Sequence, residues 1–155
     1  MARISRRVLL AGGLGALAVT ATAVAPAHAG KPQVYQNRRG VAIDGTDPVA
    51  YFTQGRPVAG SPDITTEWNG ATWRFASAAN RDAFRANPAR YAPQFGGYCA
   101  WAVSQGYTAS TTPEAWAIVD DRLYLNFSKG VQRRWARDAQ GHIRSGRQNW
   151  PSVLN

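Results

Sequence analysis

One thiol and one imidazole are the groups in this sequence best suited to nucleophilic or metal chemistry. Cys99 is the only cysteine of the 155 residues, and the second histidine, His142, lies far from His28 near the N-terminus. A cysteine and a histidine form a nucleophilic pair when the fold brings them together, whatever their separation in sequence. The same two side chains are ligands for copper or zinc. Cys99 and His142 are therefore the candidate reactive or ligand residues, and the sequence leaves open a Cys99-dependent redox protein or enzyme and a copper or zinc carrier.

Both residues also have structural explanations. A free cysteine often behaves as a small buried hydrophobic residue, and burial protects a lone thiol in an oxidising compartment. His142 follows Gly141 in an arginine-rich tail, where we expect a solvated imidazole. Asp44 and Asp47 form a close carboxylate pair that could bind a cation, but aspartate is also typical of turns and helix caps. We therefore expect structural roles for these four side chains.

The cysteine and histidine counts exclude several classes of site. One cysteine cannot form an intrachain disulfide or a four-thiolate zinc or iron–sulfur centre. A blue-copper centre needs two histidines beside its cysteine, which one mature subunit does not supply. The sequence holds no C-x-x-C-H, G-x-S-x-G, H-E-x-x-H or P-loop pattern. We identify no catalytic residue, and the sequence does not settle whether the protein is an enzyme.

The N-terminal 29 residues have the organisation of an export signal. A basic segment, Met1–Arg7, precedes an apolar segment, Val8–Ala25, and the small-x-small site Ala27–Ala29. Within it, Ser5–Leu10 resembles the twin-arginine export motif. We predict that residues 1–29 are a cleaved signal peptide and that the mature chain is periplasmic or secreted, with no stable membrane anchor. Cleavage removes three arginines and no acid, so 18 Lys+Arg become 15 and the net charge falls from +9 to +6.

The C-terminal stretch 128–155 is basic, with six Lys or Arg residues against Asp138. Such a patch can bind nucleic acid or another acidic surface. Because export separates the mature chain from nucleic acid, we expect no nucleic-acid partner. An envelope partner or a small ligand fits the predicted location better.

Two β-hairpins are the clearest elements that could position these groups. Asn69-Gly70 predicts a type I′ turn, which needs positive φ at both central residues. The pairs across that turn are then Trp68 with Ala71, Thr66 with Trp73, and Ile64 with Phe75. The segment Trp116–Phe127 repeats the pattern around Asp120-Asp121, with Leu123, Leu125 and Phe127 on one face.

Short helices complete the predicted domain. Asp47 can cap a helix that starts at Pro48, Ser77 can cap one that ends near Asn87, and Ser128 can cap a last helix that Gly141 stops. We predict a further helical turn at Pro88–Tyr91 and assign no structure to residues 95–106. Hairpins packed with short helices define an α+β fold.

Several of these segments together resemble the YHS domain. That family has a D-P-V-C start, a hairpin ending in Y-x-F-C-S, a helix reading x-x-C-x-x-x-F, and N-P-x-x-Y, and it is similar to the metal-binding TRASH modules. The resemblance covers about residues 40–93, and Gly96–Ala100 with the second hairpin is similar to secreted bacterial YHS proteins that carry a C-terminal extension. The motif residues are Asp47, Pro48, Trp73, Phe75, Ser77, Phe84, Pro88, Tyr91, Gly96, Gly97 and Tyr98.

The resemblance implies a domain layout. Residues 30–40 form a polar lead-in and residues 41–155 a single YHS-like domain, with the core motif at about 40–93 and the extension at 94–155. It implies a small YHS-like fold of β-hairpins packed with short helices, plus a C-terminal hairpin and helix extension.

This chain departs from the family at the positions that bind metal. Where metal-binding members have cysteines, it has Ala50, Ala76 and Asn80. Alanine has no ligand atom, and a neutral amide is a poor ligand for soft metals. The resemblance therefore implies the fold, whereas a metal-linked role and bound copper or zinc are implied by family alone. Our leading hypothesis is a non-catalytic binding module in the cell envelope.

Overall fold

The structure is a computed structural model that describes residues 30–155. The predicted signal peptide, residues 1–29, lies outside the described residues. Within the described part of the chain, no helix is both long enough and apolar enough to cross a bilayer.

Helices and two antiparallel hairpins alternate along the described chain, which confirms the α+β prediction. The helices are α1 Ala50–Thr53, α2 Ala78–Ala86, α3 Pro88–Tyr91, α4 Ala100–Ser104, α5 Lys129–Ala136 and α6 Ala139–Asn149. The strands are β1 Ser61–Trp68, β2 Ala71–Phe75, β3 Thr112–Val119 and β4 Arg122–Asn126. Short 3₁₀ turns lie at Ile43–Gly45, Gln94–Gly97 and Ser152–Leu154.

The β1–β2 hairpin has the predicted turn and most of the predicted register. Asn69 and Gly70 have φ of 51° and 77°, as a type I′ turn requires. Trp68 pairs with Ala71 and Thr66 with Trp73. The prediction that Ile64 pairs with Phe75 is wrong, because the register shifts between Ser61 and Thr65 and Ser61 faces Phe75 instead. Pro62 lies in this irregular stretch, where it has no N–H to donate to the ladder.

The β3–β4 hairpin uses the same kind of turn without glycine. Asp120 and Asp121 have φ of 47° and 60°, a region that aspartate tolerates better than most residues. The prediction that Phe127 shares the buried face of Leu123 and Leu125 is wrong. Strand β4 ends at Asn126, and Phe127 is 53% exposed beyond it.

Strand β4 lies between two hydrophobic cores. Leu123 and Leu125 pack into the first core, which includes Trp73, Phe75 and Phe84 of the first hairpin and α2. The intervening residue, Tyr124, points to the opposite face and packs into the second core. The second core consists of Phe95, Tyr98, Ala100, Val103, Tyr124, Trp135, Ile143 and Leu154. Strand β4 of the C-terminal extension therefore contributes side chains to both cores.

The C-terminal helix region differs from the prediction. Ser128 caps α5 by accepting a hydrogen bond from the Val131 amide at 3.2 Å. Gly141, predicted to stop this helix, lies instead inside α6, which Asp138 caps. The Gly141 amide donates to Asp138 Oδ1 at 2.9 Å, and a Cβ at Gly141 would lie 2.0 Å from Asp138 Oδ2. The glycine therefore makes room for the capping carboxylate at the start of a new helix.

The segment left unassigned by the sequence forms a tight bend followed by α4. Phe95, Gly96 and Gly97 have φ of 56°, 62° and 82° in succession. The lead-in packs along this bend, where the Tyr35 amide donates to the Gly96 carbonyl at 2.9 Å. The Tyr98 hydroxyl donates to the Pro32 carbonyl at 2.8 Å. The bend thus anchors the lead-in to the domain.

Candidate functional site

Asp47 is a fully buried carboxylate whose two oxygens each accept two hydrogen bonds. Its exposed fraction is 0%. Oδ1 accepts from the backbone amides of Val49 at 2.8 Å and Ala50 at 3.4 Å, at the start of α1. Oδ2 accepts from the Ala76 amide at 2.9 Å and from Asn80 Nδ2 at 2.7 Å. Asp47 therefore caps the turn that leads into α1, although the helix begins at Ala50 and not at the predicted Pro48. Asp47 also joins three separate elements.

The three donors beyond Val49 lie at the positions that the resemblance assigns to cysteine. Ala50 begins α1, Ala76 follows β2, and Asn80 lies in the first turn of α2. Ser77 holds that turn in place, since its hydroxyl accepts from the Asn80 amide at 3.1 Å. The fold has thus kept the meeting point of the three elements but fills it with hydrogen bonds to one carboxylate.

This meeting point does not fit copper or zinc. The side chains of Ala50 and Ala76 carry no ligand atom, and the Asn80 amide nitrogen is committed to Asp47. Both Asp47 oxygens already accept hydrogen bonds, and soft metals need thiolate or imidazole donors. Among residues 30–155, no three His, Cys, Asp or Glu side chains group closely enough to hold a metal ion.

Cys99 has the structural environment that we expected. It is 1% exposed at the start of α4. Its sulfur accepts a hydrogen bond from the Phe127 amide at 3.3 Å and lies 3.7 Å from Asn126 Oδ1. A reagent or substrate would have to open the domain to reach this thiol.

His142 is more engaged than predicted. We expected a solvated imidazole, but the residue is half-buried and its Nδ1 lies 3.0 Å from Ser104 Oγ. The Ser104 hydroxyl donates to the Trp101 carbonyl at 2.6 Å within α4, and its contact with His142 ties the end of α4 to α6. No hydrogen bond joins Cys99 to His142 in the described part of the chain, so the structure does not assemble them as a nucleophilic pair.

A cavity of about 440 Å³ lies between the YHS-like segment and the C-terminal extension. The β1–β2 turn, α3, the bend at residues 93–96 and the end of α6 surround it. Its aromatic lining residues are Trp68, Trp73, Phe95 and Trp150. A volume of this size is typical of small-molecule sites, which occur preferentially at the junctions of structural units.

Two arginines, Arg122 and Arg147, line the same cavity. Both are exposed, and Arg122 Nη1 donates to the Ala89 carbonyl at 3.2 Å. Burial raises the pKa of the neighbouring Tyr124 hydroxyl, while the positive charges of Arg147 and Arg122 act in the opposite direction.

The nearest carboxylates are engaged outside this cavity. Asp121 forms an ion pair with Arg90, and Asp120 accepts a hydrogen bond from Gln140 Nε2 at 2.9 Å. Both aspartates line a neighbouring cleft of about 310 Å³, which meets the larger cavity at Arg122. Among the described residues that line the larger cavity, none is acidic.

No local sequence pattern predicts this cavity. Its walls come from distant parts of the chain, with Gln33, Trp68, Arg122 and Trp150 as examples. No local pattern joins such residues. The composition offered only a weak signal, an abundance of tryptophan and arginine, and most of the tryptophans fitted predicted core faces.

The comparisons with known proteins agree with part of the resemblance. The sequence profile of the YHS domain matches residues 49–95. This stretch contains Ala50, Ala76 and Asn80 and ends at the cavity wall formed by Phe95. No curated protein and no solved structure matches the chain. The match to the YHS domain thus covers residues 49–95, the segment that supplies the four hydrogen-bond donors to Asp47 and one side of the cavity.

Proposed function

We propose that this protein is an exported, non-catalytic binding module of the cell envelope, in which the YHS domain and the C-terminal extension together hold a small ligand. The cavity between them is the observation that carries this proposal. The match to the YHS domain suggests an association with metal. However, the residues at the junction of α1, β2 and α2 around Asp47, which we call the Asp47 junction, favour a structural role there.

The surroundings of two nucleophilic side chains, Cys99 and Ser104, support the proposal of a non-catalytic role. Cys99 is 1% exposed, and Ser104 is 7% exposed with its proton directed to a carbonyl. A catalytic nucleophile must be accessible to its substrate and must lie within hydrogen-bonding distance of a base. These contacts instead support local structure, and this favours binding over chemistry.

Native mass spectrometry and elemental analysis of the exported protein test this proposal together. We expect less than one tenth of an equivalent of copper or zinc per chain after dialysis against a weak chelator, because the junction lacks soft ligands. We also expect a non-covalently bound organic molecule that is lost on denaturation. Any residual copper or zinc binding should change more in Cys99→Ser than in Asn80→Ala.

Two results would count against the proposal. One retained metal equivalent that survives Cys99→Ser but disappears in Asn80→Ala would place a working metal site at the YHS junction. The second result is the absence of any bound organic molecule. If the protein carries none when it is isolated from its native compartment, and none after incubation with an extract of the cells that produce it, a binding role is contradicted. Circular dichroism of both variants confirms that they are folded, since Asn80→Ala also removes a hydrogen bond to Asp47.

Export is the second part of the proposal, and it is supported by the basic, apolar and small segments of residues 1–29. Replacing Arg6 and Arg7 together by Lys should trap full-length precursor in the cytoplasm, because the twin-arginine motif depends on both guanidinium groups. Fractionation followed by N-terminal sequencing measures this, with mature protein expected to begin at Gly30. The matched control is Arg3→Lys, which leaves the pair intact and should export normally. Unchanged export of the double variant would exclude the twin-arginine route.

A further inference from the structure

We infer that the cavity between the YHS domain and the C-terminal extension binds a small organic anion with a planar apolar body, an aromatic carboxylate, and that Arg122 and Arg147 recognise its anionic group. This inference rests on the proposed binding function and adds the chemical class of the ligand.

The buried part of the cavity favours an apolar, planar body. Trp73 and Phe95 are 1% and 7% exposed, so they form the floor of the cavity and are covered mostly by the protein itself. Trp68 and Trp150 are half-buried and line it nearer to solvent. Aromatic rings pack on other rings in offset or edge-to-face arrangements, which stabilise the pair beyond simple burial. Four aromatic walls around one space are suited to a ring system.

The mouth of the cavity favours a negative charge. Arg122 and Arg147 are its exposed cationic residues, and the described lining of this cavity holds no carboxylate. Asp120 and Asp121 share the adjoining cleft with Arg122 but are paired with Gln140 and Arg90. Guanidinium groups bind carboxylates in a planar, bidentate geometry that a lysine cannot reproduce. A ligand would therefore place its ring among the tryptophans and its carboxylate at the two arginines.

Neighbouring interactions hold both arginines at this mouth. Arg122 begins β4 and is fixed to α3 through the Ala89 carbonyl. Arg147 lies in the last turns of α6, which packs tightly on the cavity wall because Gly146 faces the Phe95 ring, where a Cβ would lie 2.6 Å from Cζ. The recognition groups thus come from two elements of the extension, while the YHS domain supplies Trp68 and Trp73.

Isothermal titration of the mature chain with indole-3-acetate tests the inference. We expect saturable binding, with at least tenfold weaker binding of the neutral isostere indole-3-acetamide and of inorganic phosphate. Arg147→Gln and Arg122→Gln should each weaken indole-3-acetate binding about tenfold, the loss expected for one charge-assisted contact. The matched control is Arg144→Gln, which removes an exposed arginine from the same helix, away from the cavity, and should change binding less than twofold.

Each of the following results would contradict one part of the inference. Equal binding of the acid and the amide would exclude recognition of the charge, and equal binding of phosphate would exclude a role for the aromatic walls. Equal weakening by Arg144→Gln would assign the effect to general charge. If indole-3-acetate and a second probe, benzoate, both fail to bind while native mass spectrometry shows a retained neutral molecule, the inference fails and the binding function stands. If neither probe nor retained molecule is found, both fail.

Discussion

Asp47→Asn is expected to lower the free energy of unfolding by about 4 kcal/mol, the largest effect that we predict for a single isosteric change. The carboxylate accepts four N–H groups at a site with no access to water. An asparagine keeps one acceptor oxygen. If its NH₂ group faces the Oδ2 side, the Asn80 amide can turn to accept from it, but the Ala76 amide and one N–H of the new side chain stay unpaired. If it faces the Oδ1 side, the amides of Val49 and Ala50 lose their acceptor. Unpaired buried donors cost about 1–3 kcal/mol each.

Thermal and urea unfolding measure this loss, which should lower the melting temperature by roughly 10–20 °C. Asp44→Asn is the matched control, since Asp44 is exposed and its side chain accepts one bond, from the Tyr35 hydroxyl at 3.3 Å. Asparagine is also tolerated at the positive φ of 54° there. The control should cost less than about 1 kcal/mol. Equal stability of the two variants would mean that the Asp47 junction does not hold the YHS domain together.

Gly96→Ala is expected to destabilise the protein by about 3 kcal/mol, through both strain and overlap. Gly96 has a φ of 62°, where an alanine is strained. In addition, a Cβ at this position would lie 1.9 Å from the Gln33 carbonyl oxygen and 3.2 Å from the Trp150 ring. The lead-in would have to move away from the bend, and the Tyr35 amide would lose its bond to the Gly96 carbonyl.

Gly106→Ala separates these two causes. Gly106 has a φ of 89°, but a Cβ there would meet no atom within 4 Å. It therefore reports the backbone strain alone, about 1 kcal/mol. Unfolding of both variants and hydrogen exchange of the Tyr35 amide are the measurements, and we expect faster exchange in Gly96→Ala only. If the two variants lose the same stability and exchange alike, the contact with Gln33 does not anchor the lead-in.

The first hairpin shows how much of a hairpin the local sequence predicts. The Asn69-Gly70 pair determines the type of the β1–β2 turn, because both residues readily adopt a positive φ. It also determines the strand register nearest the turn, because pairing propagates outward from the turn. The predicted register failed at Ile64, five residues before Asn69. A bulge depends on how the far end of a strand meets the rest of the domain, and Pro62 is its only local sign.

The helix caps likewise separate what local sequence predicts from what it does not. Ser77 and Ser128 cap the helices that follow them, because a hydroxyl reaches an amide three residues ahead by local geometry alone. Gly141 was misjudged for a related reason. A glycine after a helix usually ends it, but here Asp138 had already started another helix that needed the space.

The sequence by itself determined the α+β class, the Asn69-Gly70 turn, the Ser77 and Ser128 caps and the family resemblance, since these depend on residues close together in the chain. It also determined the loss of the family's cysteines, because a missing ligand atom needs no coordinates. Tertiary structure alone decided what replaced them. The bonds from Ala76 and Asn80 to Asp47 span 29 and 33 residues, and the cavity joins residues from Gln33 to Pro151. Contacts over such separations depend on how whole elements pack, which no local propensity encodes.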